Sequence, residues 1–209
     1  MDNKEVFNTL NEIRNLMEKS SKILSLSGIS AVYVGIYACV AAAVSYYIMG
    51  GERFLSWGFP PLNLETSVKL QLIIITALVL IVLCLATAFW CAYRKAKRNQ
   101  QRFAFDLTAR RLLWNFFVPL TVGGILCLSL IHHQQYELSV SMMLVFYGIA
   151  LVNLSGYTYS NTRYLGYAEI ILGIVNSFIP EYSLLIWTLG FGLLHIIYGI
   201  FFYLKYDRK

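Results

Sequence analysis

The stretch KLQLIIITALVLIVLCLATAFWCAY, residues 69–93, contains one charged residue, Lys69, at its first position. A helix of roughly 20 apolar residues crosses the hydrocarbon core of a bilayer, so this stretch predicts a transmembrane helix. Further segments of about this length and apolar character occur on both sides of it. The six predicted spans are 28–49, 69–93, 112–131, 138–157, 164–179 and 182–204.

The composition of the whole chain agrees with these spans. Of its 209 residues, 58% are hydrophobic and only 13% are charged, which is far from the usual balance of a soluble domain. Because the connections between the spans are short, we expect one compact unit rather than two domains. Residues 28–209 are therefore predicted to form an all-α, integral membrane six-helix bundle.

The positions of the basic residues predict the orientation of this bundle. Lys and Arg in short loops favour the cytoplasmic side, and of the 17 in this chain only Arg53 and Lys69 fall on the side opposite the termini. Both termini are therefore predicted to be cytoplasmic. The basic residues expected to face lipid headgroups on that side are Arg94, Lys95, Lys97, Arg98, Arg110 and Arg111.

The net charge of +6 does not require a nucleic-acid partner. A basic cytoplasmic face and anionic lipid already account for it, so the predicted partner is the lipid bilayer, with no direct binding of nucleic acid. The four cysteines form no C-x-x-C pair and the histidines do not cluster. We therefore expect no metal site and no cofactor.

Residues 1–27 predict a cytoplasmic amphipathic helix ahead of the first span. Val6, Leu10, Ile13 and Met17 recur at alternating spacings of four and three, and Leu24 continues the series after one polar position. Such a stripe is typical of a helix with one apolar face. The stripe is compatible with self-association into a homo-oligomer, with docking of a cytoplasmic protein through residues 6–24, and with attachment to the membrane surface.

Glycines recur in pairs, seven residues apart, within three of the spans. Seven residues make nearly two helical turns, so both members of a pair lie on one face. Small residues on a face let helix backbones approach closely in lipid. The pairs expected to form helix contacts are Gly28 and Gly35, Gly166 and Gly173, and Gly192 and Gly199.

Two ionisable residues share these packing faces. Glu169 and His195 each follow the first glycine of their pair by three residues. The turn IPEYS between the last two spans is too short to separate them, so we expect an antiparallel hairpin with these side chains in reach of each other. Counting residues along the helices places Asn153 and Asn115 toward the cytoplasmic side, where they are expected to join a polar cluster.

An ionisable residue within a membrane span is a candidate functional site. A lone charge at the bilayer centre costs roughly 2.5–3.5 kcal/mol on insertion scales. A carboxyl group and an imidazole in contact can share one proton and so form a titratable switch. The plain alternative is a neutral Glu169 hydrogen-bonded across helices, which would stabilise the hairpin by about 1 kcal/mol.

Five motifs carry a resemblance to a known family: YRKAK, RRLL, FYGIALVN, RYLGYAEIILG and LGFGLLHIIYG. They resemble recurring signatures of a family of small six-span bacterial membrane proteins that has no assigned activity. The resemblance implies a multi-pass protein of the bacterial inner membrane and brings no mechanism with it. The residues that it carries over are Arg94, Arg110, Arg111, Asn153, Arg163, Glu169 and His195. Arg163 thereby joins the candidate site.

Three classes of function remain. A sensory or regulatory role ranks first, in which a ligand or proton at Glu169 and His195 alters helix packing and repositions the N-terminal helix for a partner to read. A small proton-coupled transporter or channel ranks second, because titratable residues in spans often mark proton routes. An intramembrane lipid-modifying enzyme ranks third, since the chain has neither G-x-S-x-G nor H-E-x-x-H and no second buried acid near Glu169. No catalytic residue is predicted.

Overall fold

The computed structural model describes residues 28–49, 65–98, 107–157 and 162–207. Within these ranges the chain is almost entirely helical and contains no strand, so the prediction of an all-α bundle is confirmed there. The helices are α1 (Gly28–Met49), α2 (Thr66–Arg98), α3 (Leu107–His132), α4 (Tyr136–Leu154), α5 (Thr162–Phe178) and α6, a continuous helical run over 183–207. The amphipathic helix predicted for residues 6–24 lies outside the described residues.

The described helices have the length and the surface of membrane helices. Five segments are long and apolar enough to cross a bilayer: Gly28–Met49, Thr66–Arg94, Arg110–His132, Tyr136–Leu154 and Pro180–Lys205. α5 has 17 residues, which is the lower limit of the usual spanning length. Large apolar side chains such as Val82, Trp114 and Leu128 are more than 60% exposed. This apolar exterior indicates a multi-pass membrane protein.

The helix bounds differ from the predicted spans where polar residues continue a helix beyond its apolar part. α2 ends at Arg98 and α3 already begins at Leu107. α4, in contrast, ends at Leu154, and a turn follows at residues 155–157. Apolar residues mark the part of a helix suited to lipid, whereas backbone hydrogen bonds decide where the helix stops.

The charged residues separate the two ends of the bundle. We call the end where α2, α4 and α6 begin the acidic end, because Glu65, Glu137 and Glu181 lie there. The opposite end is the basic end, with Arg94, Lys97, Arg110, Arg111, Arg163 and Lys205. Lys69 is the exception to this division among the residues with described side chains.

α1 and α6 interlock through glycines. A Cβ atom on Gly28 would lie 2.6 Å from the carbonyl oxygen of Gly199, and one on Gly35 would lie 2.6 Å from that of Gly192. Such distances leave no room for any side chain, so the two backbones are in direct contact. The helices run antiparallel, since the first glycine of one meets the second glycine of the other.

α4 and α5 interlock in the same way. A Cβ atom on Gly148 would lie 2.5 Å from the carbonyl oxygen of Gly166, and one on Gly173 would lie 2.8 Å from that of Ser141. Ser141 and Gly148 are seven residues apart, as are Gly166 and Gly173. Both antiparallel helix pairs therefore make contact through small residues that are seven positions apart.

α2 and α3 flank these pairs. No residue of α2 with a described side chain is buried, and the helix packs mainly against α1, where the Thr87 hydroxyl lies 3.4 Å from the Tyr37 hydroxyl. α3 packs against α4, and the Cys127 thiol donates to the carbonyl oxygen of Ser139. The core that positions the candidate site therefore lies between α4, α5 and α6.

α6 changes helical type along its length. It is α-helical over Ser183–Trp187 and His195–Phe202, and π-helical over Thr188–Leu194 and Tyr203–Asp207. π-helical turns inside α-helices frequently occur at functional sites. The first of these turns directly precedes His195.

Candidate functional site

Glu169 lies on the face of α5 that carries Gly166 and Gly173. The side chain is 0% exposed, and neither carboxyl oxygen has a hydrogen-bond partner among the described residues. Since buried polar groups are nearly always hydrogen-bonded, this carboxyl group is an exception that needs an explanation.

His195 is the ionisable group nearest to this carboxyl group. Its Nδ1 lies 3.5 Å from Glu169 Oε1 and 3.0 Å from the carbonyl oxygen of Gly190. Its Nε2 lies 2.7 Å from the hydroxyl of Tyr147. A carbonyl oxygen only accepts, so Nδ1 carries the hydrogen that it donates to Gly190. In a neutral imidazole Nε2 then accepts from the Tyr147 hydroxyl.

Both ring nitrogens of His195 are thus occupied by groups other than the carboxyl. The structure brings Glu169 and His195 together, as the hairpin argument predicts, but at a distance beyond that of a good hydrogen bond. The charge of an ionised Glu169 would have no donor, and an unpaired buried ion is unfavourable by several kcal/mol. The geometry therefore suits a neutral carboxyl group, or one that draws the Nδ1 hydrogen away from Gly190 when it ionises.

Gly190 provides the space in which the carboxyl group lies. A Cβ atom at this position would be 2.5 Å from Glu169 Oε2 and 2.7 Å from Leu144 Cδ2. Because Gly190 belongs to the π-helical turn, the turn contacts the site in two ways: its backbone packs on the carboxyl group and its carbonyl oxygen accepts from His195. Sequence reasoning did not identify Gly190.

Aromatic rings close the site on the side of α4. The ring of Tyr147 lies 4.9 Å from that of Phe191 and 5.4 Å from that of His195, between centroids. Tyr147 is also within electrostatic range of Glu169, Tyr198 and Cys84. The imidazole is therefore held by hydrogen bonds at both ring nitrogens, and the Phe191 ring stacks on it with centroids 6.1 Å apart.

A second buried polar group lies on the same face of α5, toward the acidic end. The Asn176 side-chain nitrogen donates to Ser141 Oγ at 2.8 Å and to the carbonyl oxygen of Glu137 at 3.3 Å. Its Oδ1 has no partner among the described residues, and Asn176 is 0% exposed. Asn176 and Glu169 are seven residues apart, about 10 Å along the helix.

The structure does not bring the predicted asparagines to the Glu169–His195 pair. Asn153 is exposed, and Asn115 is exposed and donates to the Tyr157 hydroxyl at 3.2 Å. The expected cluster of Glu169 and His195 with these two residues is corrected accordingly: its third member is Tyr147. The reason is that both asparagines point away from the interface of α5 and α6.

Arg163 also lies apart from the pair. It is exposed at the start of α5, with its guanidinium group 5.2 Å from the centroid of the Tyr164 ring. The other basic residues predicted to face headgroups that have described side chains, Arg94, Lys97, Arg110 and Arg111, are exposed at the basic end. Lys95 and Arg98 lie in the last turn of α2.

Sequence reasoning missed Gly148 and Tyr147. Gly148 had a signal, because Ser141, Val145 and Gly148 repeat the spacing of Gly166, Ile170 and Gly173. Tyr147 had none, since only the crossing of α4 over α6 decides that it reaches His195. Among the described residues, no group of three or more His, Cys, Asp or Glu is placed to hold a metal ion.

Comparisons of the chain with protein-family models, with curated proteins and with solved structures found no match. The resemblance to a family of small six-span bacterial membrane proteins stays a prediction. The function is therefore argued from the geometry of the buried pair.

Proposed function

We propose that the protein is a sensory or regulatory membrane protein whose switch is the protonation of the Glu169–His195 pair. The observation that supports this proposal is a fully buried carboxyl group with no hydrogen-bond donor, 3.5 Å from an imidazole. Stability alone does not explain such a group, since an apolar side chain of similar volume would pack there without the desolvation penalty. Ionisable residues in membrane helices are functional candidates by default.

The proposed switch is the hydrogen on His195 Nδ1, which faces two acceptors. With Glu169 neutral, this hydrogen bonds to the carbonyl oxygen of Gly190 at 3.0 Å. When Glu169 loses its proton, the carboxylate becomes the stronger acceptor, because hydrogen bonds to ionised groups are roughly twice as strong as neutral ones. His195 then turns toward Glu169 and no longer donates to Gly190, so the π-helical turn loses one of its hydrogen bonds.

Packing offers a route from this turn to the rest of the bundle. α6 is in backbone contact with α1 at Gly35 and Gly192 and again at Gly28 and Gly199. A shift of α6 therefore acts on the start of α1. In the proposed arrangement six helices span the bacterial inner membrane with both termini cytoplasmic, and the amphipathic helix ahead of α1 passes the movement to a cytoplasmic partner or a second copy of the chain.

The switch is tested by hydrogen exchange of the π-helical turn. The full-length protein in lipid nanodiscs is labelled at two pH values, and the exchange of residues 188–194 is corrected for the intrinsic effect of pH. We expect protection of this turn to depend on pH in the wild type and not in Glu169→Gln. Glu181→Gln is the matched control, because Glu181 is an exposed acid in the turn before α6. Equal pH dependence in the wild type and Glu169→Gln would refute the switch.

The cytoplasmic partner is tested by affinity capture from membranes, with and without residues 1–24. We expect the deletion to abolish recovery of the partner, and we expect Glu169→Gln to change the recovery while leaving protein abundance unchanged. Unchanged recovery after the deletion would contradict the role of the N-terminal segment.

A small proton-coupled transporter is the second candidate. The observation that favours it is Asn176, which continues the buried polar groups from Glu169 toward the acidic end. Proton or solute flux into proteoliposomes separates the two functions. Flux in the wild type that is lost in Glu169→Gln would favour transport, whereas a pH response without flux favours sensing.

A further inference from the structure

The unpartnered buried side-chain atoms of the described residues have one property in common. They are Glu169 Oε1, Glu169 Oε2 and Asn176 Oδ1, which lie on one face of α5 and are all acceptors when Glu169 is ionised. The ligand that suits them offers hydrogens or positive charge. Water and hydronium fit this description, because buried water typically bonds to buried polar groups that otherwise lack a partner.

The orientation of the Asn176 amide is fixed by its neighbours. Its nitrogen has an obligatory acceptor in the carbonyl oxygen of Glu137 at 3.3 Å, and it also contacts Ser141 Oγ at 2.8 Å. The oxygen therefore points into the interface. Ser183 Oγ, 3.5 Å from the same carbonyl of Glu137, brings the start of α6 to this group. Asn176 and Ser141 thus form a polar site shared by α4, α5 and the acidic end of α6.

One side chain separates this site from Glu169. Leu144 is 0% exposed; its Cβ lies 3.0 Å from the Cβ position of Gly173, and its Cδ2 lies 2.7 Å from that of Gly190. Gly173 is one turn from both Glu169 and Asn176. The Leu144 side chain therefore occupies the space between the two groups of unpartnered acceptors.

A buried apolar cluster lies on the other side of Glu169. Leu112, Leu151, Leu154 and Leu165 form a buried apolar cluster toward the basic end, and Tyr198 packs against it. The hydroxyl of Tyr198 lies 2.9 Å from Thr162 Oγ1, so these two groups satisfy each other. The path from Glu169 toward the basic end therefore meets this apolar cluster, whereas the path toward Asn176 meets the single side chain of Leu144.

We propose that Asn176 and Ser141 form a binding site for water or hydronium through which Glu169 exchanges protons with the acidic end of the bundle, with Leu144 as the barrier. This inference rests on the proposed function. When the Leu144 side chain changes rotamer, a single file of water molecules connects Asn176 with Glu169. A hydronium ion at Asn176 Oδ1 releases its proton along the file and becomes water, and the Glu169 carboxylate becomes a neutral carboxyl group.

Other titratable groups also face Glu169 and are part of any pH response. They are His195 on α6 and Tyr147 on α4, and Tyr147 is in turn in electrostatic range of Tyr198 on α6 and Cys84 on α2. The measured signal must therefore come from the Glu169 carboxyl group alone. The infrared band of a protonated carboxyl group meets this requirement, because Glu169→Gln identifies it by removing it.

The experiment starts at a pH at which the band of protonated Glu169 is absent, and it applies a rapid drop in external pH to proteoliposomes with a strongly buffered interior. Vesicles in which the acidic end faces outward are compared with vesicles in which the basic end does. Orientation is established from the accessibility of a tag after residue 209, since Lys205 marks the basic end. We expect the Glu169 band to respond faster by at least about tenfold when the acidic end faces the acidified solution.

Three variants test whether protons reach Glu169 from the acidic end. Asn176→Leu should slow the response at the acidic end by about tenfold or more, and Leu144→Ala should accelerate it. Asn115→Leu is the matched control, since the same change is made at an exposed position toward the basic end. If Asn176→Leu does not fold, the acceleration by Leu144→Ala remains the deciding measurement.

The outcomes separate this inference from the proposed function. A Glu169 band that responds only to the pH at the basic end, or is unchanged in rate by Leu144→Ala, overturns the route through Asn176 and leaves the switch intact. A band that responds to neither side in the wild type overturns the proposed function as well.

Discussion

Replacing Gly148 by alanine should separate α4 from α5. The added Cβ would lie 2.5 Å from the carbonyl oxygen of Gly166 and 2.9 Å from the backbone nitrogen of Ile170. Ordinary contacts need about 3.5 Å, so the two backbones must move apart by roughly 1 Å. Neither contact is with the free end of a side chain, so nothing can rotate away to relieve it.

The expected loss of stability is the difference between two terms. Overpacking a tight interface costs about 1–3 kcal/mol, whereas alanine gains about 1 kcal/mol over glycine in a helix interior. Gly148→Ala should therefore lose up to about 2 kcal/mol. Gly124→Ala in α3 is the matched control, because no atom lies within 4 Å of its Cβ position. It should gain about 0.5–1 kcal/mol.

The assay is reversible unfolding of the purified protein in mixed micelles by a denaturing detergent, followed by circular dichroism. The free energy of unfolding should fall in Gly148→Ala and rise in Gly124→Ala, so that the two variants differ from each other by on the order of 2 kcal/mol. Equal midpoints for Gly148→Ala and Gly124→Ala would show that the backbone contact between α4 and α5 does not stabilise the bundle, and the close-packing argument for α1 and α6 would fail with it.

Three further variants test other features in the same unfolding assay. Glu169→Leu should raise the free energy of unfolding by on the order of 1–3 kcal/mol, because it removes a buried carboxyl group whose two oxygens have no hydrogen-bond partner among the described residues; a comparable loss would mean that the carboxyl group is paired. Tyr147→Phe should cost about 1–2 kcal/mol by leaving His195 Nε2 without its donor, and nitrogen NMR should show a change in the imidazole protonation pattern; an unchanged spectrum would contradict the proposed tautomer. Gln134→Gly should gain about 1 kcal/mol, since Gln134 has a φ of 60 between α3 and α4. Gln135→Gly, at a φ of −92, should show no such gain.

The helices of this protein are predictable because their signal is local. Residues 69–93 contain so little polarity that only a lipid-facing helix suits them, and α2 has no buried residue among its described side chains. The meeting of Glu169 and His195 was also predictable. Both lie on a face marked by glycines, and small residues mark the face that a neighbouring helix covers.

The error over Asn115 and Asn153 has a specific cause. Counting residues gives the height of a side chain along its helix, at about 1.5 Å per residue, but not its direction around the axis. Neither asparagine lies between two glycines seven residues apart, which is the pattern that marked the faces of Glu169 and His195 as packed. Tyr147 was missed for the complementary reason, because the direction in which it points becomes meaningful only once α4 has crossed α6.

The two interlocking pairs place different demands on the synthesis of the chain. α4 and α5 are consecutive, so Gly148 and Gly166 can meet as soon as both helices have left the ribosome. Gly28 and Gly35 of α1 must wait until α6 has been made, after four intervening helices. During that interval α1 presents an uncovered glycine face to the lipid and to any chaperone or protease there. A ribosome that stalls before α6 would leave this face permanently exposed, and quality control of truncated chains would then have a defined surface to recognise.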